Sequence, residues 1–139
     1  YDTKKGIKYF IESLLANLQK KSVIYTIDSP HHGNYAKVLG ESFNNTLIRN
    51  KKSKDIFTKT LVPHGSFGLI EVDKLSGQNI KIKEMPKDIN FSAYIWFISG
   101  TVVFFSATPP FVVSIKHNLI VDSLKSVYDY IWNLSADRN

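Results

Sequence analysis

Residues 93–115 are apolar at almost every position, and the only breaks in the run are Ser99-Gly100 and Thr108-Pro-Pro110. A membrane-spanning helix needs about 20 consecutive apolar residues, and these breaks divide the run before that length is reached. The pieces, residues 94–98, 101–106 and 111–115, have strand length. Their near-continuous apolar character predicts burial on both faces of a sheet. Ser99-Gly100 is short enough to close a hairpin between the first two. A terminal amphipathic segment follows, with Asn118 as the expected N-cap and Ile120, Leu124, Val127, Ile131 and Leu134 on one side. Tyr128 and Trp132 lie beside that stripe, and the segment is expected to cover the sheet as a helix.

The rest of the chain repeats a simpler pattern. Ile7, Phe10, Ile11, Leu14, Leu15 and Leu18 recur at intervals of three and four, which gives one apolar helix face. Residues 22–28 are rich in β-branched side chains and read as a strand, ended by the breaker-rich Ser29-Pro-His-His-Gly33. A second helical stripe is expected over residues 34–49, and a second strand over residues 56–62, ended by Pro63-His-Gly65. Residues 80–84 alternate apolar and charged side chains, the pattern of a strand with one wet face. The order predicts an α/β fold, a single layered domain over residues 1–139 with a mixed sheet covered by helices.

The length of 139 residues and the 43% apolar content suffice for one core and argue against two independent domains. Without cysteine the chain has no disulfide, thiolate chemistry or cysteine-based zinc site. The formal charge of +6 lies in the first half, mostly in Lys20-Lys21 and in Arg49-Asn-Lys-Lys-Ser-Lys54. Those cations read as helix ends favoured by the helix dipole, with a phosphate-binding patch or a protein contact as alternatives. No cleavable signal pattern opens the chain, and a cytoplasmic location without membrane contact is expected. The first residue, Tyr1, is not methionine, which suggests an excised piece of a longer protein.

Candidate site residues gather where strands end. Asp28, His31 and His32 follow the first strand, a position where α/β folds hold ligands. His64 and Ser66 join them at one edge if the two strands run in parallel. Three readings stay open for the histidines: a polar loop, a ligand contact, or metal and acid–base chemistry. No H-E-x-x-H helix, G-x-S-x-G elbow or complete phosphate loop is present, so no catalytic residue, metal ligand or cofactor is assigned. The phospholipase D pattern fails as well. After His117 a leucine stands in the lysine place, and Asp122 falls two residues early. The aromatic residues of the last third are expected to be core, because that half has no net charge to accompany a stacking platform.

Gly6-Ile-Lys-Tyr-Phe-Ile-Glu-Ser-Leu-Leu15, Asn34-Tyr-Ala-Lys-Val-Leu-Gly-Glu-Ser-Phe43, Leu61-Val-Pro63, residues 94–106, residues 111–115 and residues 121–132 with their late tryptophan together resemble the C-terminal effector domains of TrmB-like transcriptional regulators. The resemblance implies a degenerate phospholipase D-like fold without its catalytic pair. It also implies a non-enzymatic sensor or dimerisation domain, with DNA contacted through an N-terminal module outside this chain. Expected partners are a second copy, meeting at Tyr128 and Trp132, and a small-molecule effector at Asp28, His31, His32, His64 and Ser66. A small metal-dependent hydrolase or phosphoesterase and a pure assembly module are the alternatives.

Overall fold

A computed structural model describes residues 4–29, 40–70, 79–107 and 110–139. The elements in chain order are α1 (Lys4–Ala16), β1 (Val23–Ile27), α2 (Glu41–Ser53), β2 (Phe57–Val62), a short 3-10 turn (Phe67–Leu69), β3 (Asn79–Glu84), β4 (Tyr94–Ile98), β5 (Thr101–Ala107), β6 (Pro110–Ile115), α3 (Asn118–Leu134) and β7 (Ala136–Asp137). They form one α/β domain with a mixed seven-stranded sheet in the order β6-β5-β4-β1-β2-β3-β7. β1, β2 and β3 run parallel to one another, and the remaining pairings are antiparallel.

The apolar run forms the antiparallel half, as its composition predicts. Ser99 and Gly100 have φ of 50° and 71°, the paired positive values of a two-residue hairpin whose twist matches the strands it joins. Alternate side chains of β4 enter different cores. Tyr94, Trp96 and Ile98 pack with α1 and α2, whereas Ile95 and Phe97 pack with α3. Burial on both faces is why period-two polarity is missing from this strand. Pro110 opens β6 at the sheet's edge, where a missing N–H is tolerated.

The second and third helices differ from the sequence reading in where they start and in how they face. The second helix starts at Glu41 because Gly40, at φ 103° and ψ 146°, takes a backbone conformation almost restricted to glycine. It then runs on to Ser53, while the earlier part of the expected stripe, residues 34–39, lies outside the described residues. Asn118 is the first helical residue of α3, and His117 holds the N-cap position. Helix α3 is also turned relative to the stripe expected to be its buried side. Of the expected stripe, Ile131 is buried and Leu124 packs beside it, joined by Val121 and Tyr128, whereas Ile120, Val127 and Leu134 are exposed. The helix carries two apolar stripes, and only packing decides which meets the sheet.

The basic run of residues 49–54 ends helices, as expected. Lys51 and Lys52 occupy the last turn of α2. The Lys54 ammonium donates to the carbonyls of Leu15, Ala16 and Leu18, each at 2.8 Å. All three of its protons are thereby given to carbonyls at and just beyond the C-terminal end of α1, which is a fixed structural use of this cation.

Candidate functional site

The parallel register, in which Val23 pairs with Phe57 and Phe57 with Asn79, brings the carboxyl ends of β1, β2 and β3 to one edge. Asp28 and Ser29 leave β1 there, Pro63 to Ser66 leave β2, and Glu84 ends β3. Asp28 and His64 therefore belong to the same edge, because the condition on strand direction is met. His31 and His32 lie outside the described residues.

Backbone bonds fix this edge. The Asp28 N–H donates to the Leu61 carbonyl at 2.9 Å, and the Met85 N–H donates to the Val62 carbonyl at 2.8 Å. Ser66 is fully buried, and its hydroxyl donates to the Pro63 carbonyl at 2.6 Å, closing the turn that carries His64. Ser66 thus shapes the turn, while the His64 side chain is exposed. The Ser29 hydroxyl donates to the Phe91 carbonyl at 3.0 Å and ties the end of β1 to the segment before β4.

Glu84 is the residue at this edge that the sequence reading passed over. It is 5% exposed, and its two oxygens are divided between neighbours. Oε2 accepts the Phe67 N–H at 2.9 Å, and Oε1 accepts Arg138 Nε at 2.6 Å. Burial pushes the Glu84 carboxyl up, but the Phe67 amide, the Arg138 guanidinium and the charge of His64 together outweigh it and hold the group below its usual range. The logic that selected Asp28 and His64, carboxyl ends of parallel strands, selects Glu84 too once β3 is recognised as the third parallel strand.

A polar seam runs inward from the edge on the α1/α2 side. Thr26 and Thr60 stand opposite each other in register, and their hydroxyls are 3.0 Å apart. Thr58 and, from α2, Asn44 are buried as well, and Thr58 Oγ1 and Asn44 Nδ2 have no partner among the described residues. Burial lowers Lys51 to about 8, while the negative charge of Asp28 acts to raise it. The same carboxylate adds to the effect of burial in pushing the Tyr94 and Tyr128 hydroxyls up. Thr26 on β1 and the alternating Thr58 and Thr60 on β2 are the sequence signal for this seam.

Tyr128 and Trp132, expected at a contact surface, sit on the sheet side of α3. Tyr128 is 2% exposed, and its hydroxyl reaches the Lys59 carbonyl at 2.8 Å and the Thr26 carbonyl at 3.1 Å. Trp132 is half-buried and stacks on Tyr128, with ring centroids 6.2 Å apart. Lys59 and Lys83 lie over its ring at 5.6 and 4.7 Å. These contacts dock α3 on β1 and β2 just below the carboxyl edge. Among the described residues, no group of three or more His, Cys, Asp or Glu side chains is placed to hold a metal ion. No helix among them is long and apolar enough to cross a membrane.

The fold is that of the phospholipase D-like α/β domains. Solved structures that share it include TrmBL2, an archaeal chromatin protein with a novel mode of DNA binding, and Nuc from Salmonella typhimurium, a phospholipase D family member. TrmBL2 superimposes with a TM-score of 0.62 over 97% of this chain at 13% identity, and Nuc with 0.60 over 95% at 12%. The chain spans 51% of TrmBL2 and 90% of Nuc. At these identities the likeness is one of fold. No protein-family model matches the sequence, and no curated protein does.

Proposed function

We propose that the chain is a sensor and dimerisation domain of a transcription regulator with no enzymatic activity of its own. The observation that carries this reading is the fold shared with TrmBL2 over nearly the whole of this chain and about half of that one. In this reading a small polar effector binds at the carboxyl edge, to Asp28 and His64, with His31 and His32 as further contacts and Ser66 holding the turn. Glu84 is added to that set because it lies at the same edge and is electrostatically coupled to His64.

The route from effector to assembly runs through α3. Asp28 is bonded by its amide to β2, and Tyr128 bonds the carbonyls of both parallel strands. An effector that reshapes this edge thereby biases how α3 sits, and α3 presents the outward stripe of Ile120, Val127 and Leu134 to a second copy. Two subunit arrangements with different effector affinity would then reposition a DNA-binding module attached before Tyr1 in a cytoplasmic regulator. Light scattering across a concentration series tests the assembly step. A stable dimer is expected, and a mass that stays monomeric at high concentration removes the dimerisation reading.

The fold shared with Nuc supports a second reading, a small phosphoesterase acting at the same edge. It requires turnover of a general phosphodiester such as bis(p-nitrophenyl) phosphate, lost in His64→Ala. The sensor reading predicts none from either protein.

A further inference from the structure

The two edges of the sheet are finished in opposite ways. At one, β3 is covered by β7, a strand of two residues, and the residues that follow extend the cover. The Arg138 N–H donates to the Ile82 carbonyl at 3.1 Å, and Asn139 Nδ2 donates to the Ile80 carbonyl at 3.0 Å. The Asp137 carboxylate lies between the ammonium groups of Lys81 and Lys83, at 3.4 and 3.8 Å. A short, charged edge strand of this kind resists the addition of a further strand. At the other edge stands β6, Pro110-Phe-Val-Val-Ser-Ile115, six residues without a charge. An edge strand turns the N–H and C=O groups of alternate residues away from its sheet, and a long apolar one is a template for pairing.

The register of β6 on β5 assigns its two faces. Val112 pairs with Phe105, and both belong to the core under α1 and α2. Phe111, Val113 and Ile115 alternate with it and point to the α3 side, where Val113 pairs with Phe104 and Ile115 with Val102. That side is not fully covered: Phe111 is 49% and Val113 41% exposed. Trp132 of α3 lies against Lys83 of β3, so helix periodicity turns Ile120 and Val127, also exposed, to the opposite flank, toward β5 and β6. Phe111, Val113, Ile120 and Val127 thus border one apolar face that ends at the open edge of the sheet.

A strand added to this edge has to be uncharged and apolar at alternate positions, and β6 itself meets that description. Antiparallel pairing about a two-fold axis at Val113 sets Val113 opposite its counterpart and each Phe111 opposite an Ile115. It also sets Ser114 opposite Val112 and Lys116 opposite Pro110, so the whole strand is paired and no like charges meet. A two-fold axis at Val112 or at Ser114 leaves Ile115 or Phe111 facing a residue outside the strand.

We infer that two copies of this chain join β6 to β6 about Val113, which merges the two seven-stranded sheets into one and keeps both α3 helices on the same face. The inference rests on the dimer reading above and deepens it: the seam lies at β6, and the exposed flank of α3 borders it.

The sequence has no cysteine, so single cysteines report the register. Val113 and Ser114 are both exposed, and replacing them leaves the core intact. In the inferred pairing two Val113→Cys side chains face each other with Cα atoms about 4.5–5.5 Å apart, within disulfide reach, whereas two Ser114→Cys side chains are offset and do not meet. Mild oxidation is expected to give a linked dimer of Val113→Cys on a non-reducing gel and to leave Ser114→Cys unlinked. Equal linking of both, or none from Val113→Cys, overturns the pairing. Val113→Lys places two like charges at the axis, and its light-scattering mass is expected to fall to that of a monomer with an unchanged circular-dichroism spectrum. Light scattering also separates the two claims. A dimer that survives Val113→Lys removes the β6 seam and leaves the dimer reading standing, whereas an unmodified chain that is monomeric at high concentration removes both.

Discussion

The two halves of the sheet divide its work. In the antiparallel half, β4, β5 and β6 carry Trp96, Phe97, Val102, Val103 and Phe105, all buried, with Thr101 and the Tyr94 hydroxyl as their few buried polar groups. In the parallel half, β1, β2 and β3 bury Thr26, Thr58, Thr60 and Glu84 and carry half-buried lysines, Lys59 and Lys83 against Trp132 of α3, and the strand ends converge on Asp28, His64 and Glu84. Polar groups out of water are costly unless bonded, so a half that buries more of them relies on a neighbour whose core is mainly apolar. The antiparallel half supplies that stability, and the parallel half can hold a site.

If that division is real, the largest effect belongs to Phe105. It stacks on Tyr94 and meets Trp96 edge-on, each with ring centroids 5.1 Å apart, and is 1% exposed. Phe105→Ala should cost about 3–5 kcal/mol in denaturant unfolding. A loss under 1 kcal/mol would mean that the antiparallel half is not the main source of stability.

Lys51 provides a change of opposite sign in the parallel half. Its folded pKa, about 8, lies below the usual 10.5, so the unfolded chain binds more protons between those values and stability rises as pH increases through that window. Lys51→Met should therefore raise stability at pH 7 by about 1–3 kcal/mol, with the gain fading by about pH 10.5. Destabilisation instead would show that attraction to Asp28 outweighs burial.

Tyr128→Phe removes the hydroxyl that bonds the Lys59 and Thr26 carbonyls. It should cost about 1–2 kcal/mol by the same denaturation measurement. The smallest effect falls at His64, an exposed side chain on a turn held by Ser66. His64→Ala should change stability by less than about 0.5 kcal/mol, while an acid titration of the Glu84 carboxyl followed by NMR should move upward as the nearby positive charge is lost. A loss of stability above 1 kcal/mol would assign His64 a structural role in place of an edge contact.

Much of the architecture is legible in the sequence because it rests on local rules. The breaks at Ser99-Gly100 and at the Pro-Pro pair set strand lengths, and the three-and-four spacing of Ile7, Ile11 and Leu15 sets a helix. What stayed hidden depends on contacts between distant residues. Ile120, Val127 and Leu134 flank Leu124 and Ile131 on one side as well as Val121 and Tyr128 do on the other, so spacing alone cannot fix the rotation of α3. Glu84 and Arg138 are 54 positions apart and meet only because β7 returns to β3. The shared edge of Asp28 and His64 was readable only as a condition on strand direction, which the parallel register satisfies.

Native-state hydrogen exchange, read amide by amide, tests the division of work most directly. The account predicts that Val102, Val103 and Phe105 exchange only through global unfolding, whereas Phe67 and Met85 at the carboxyl edge open locally at much lower free energy. Equal protection in both regions, or slower exchange at the edge than in β5, would contradict it.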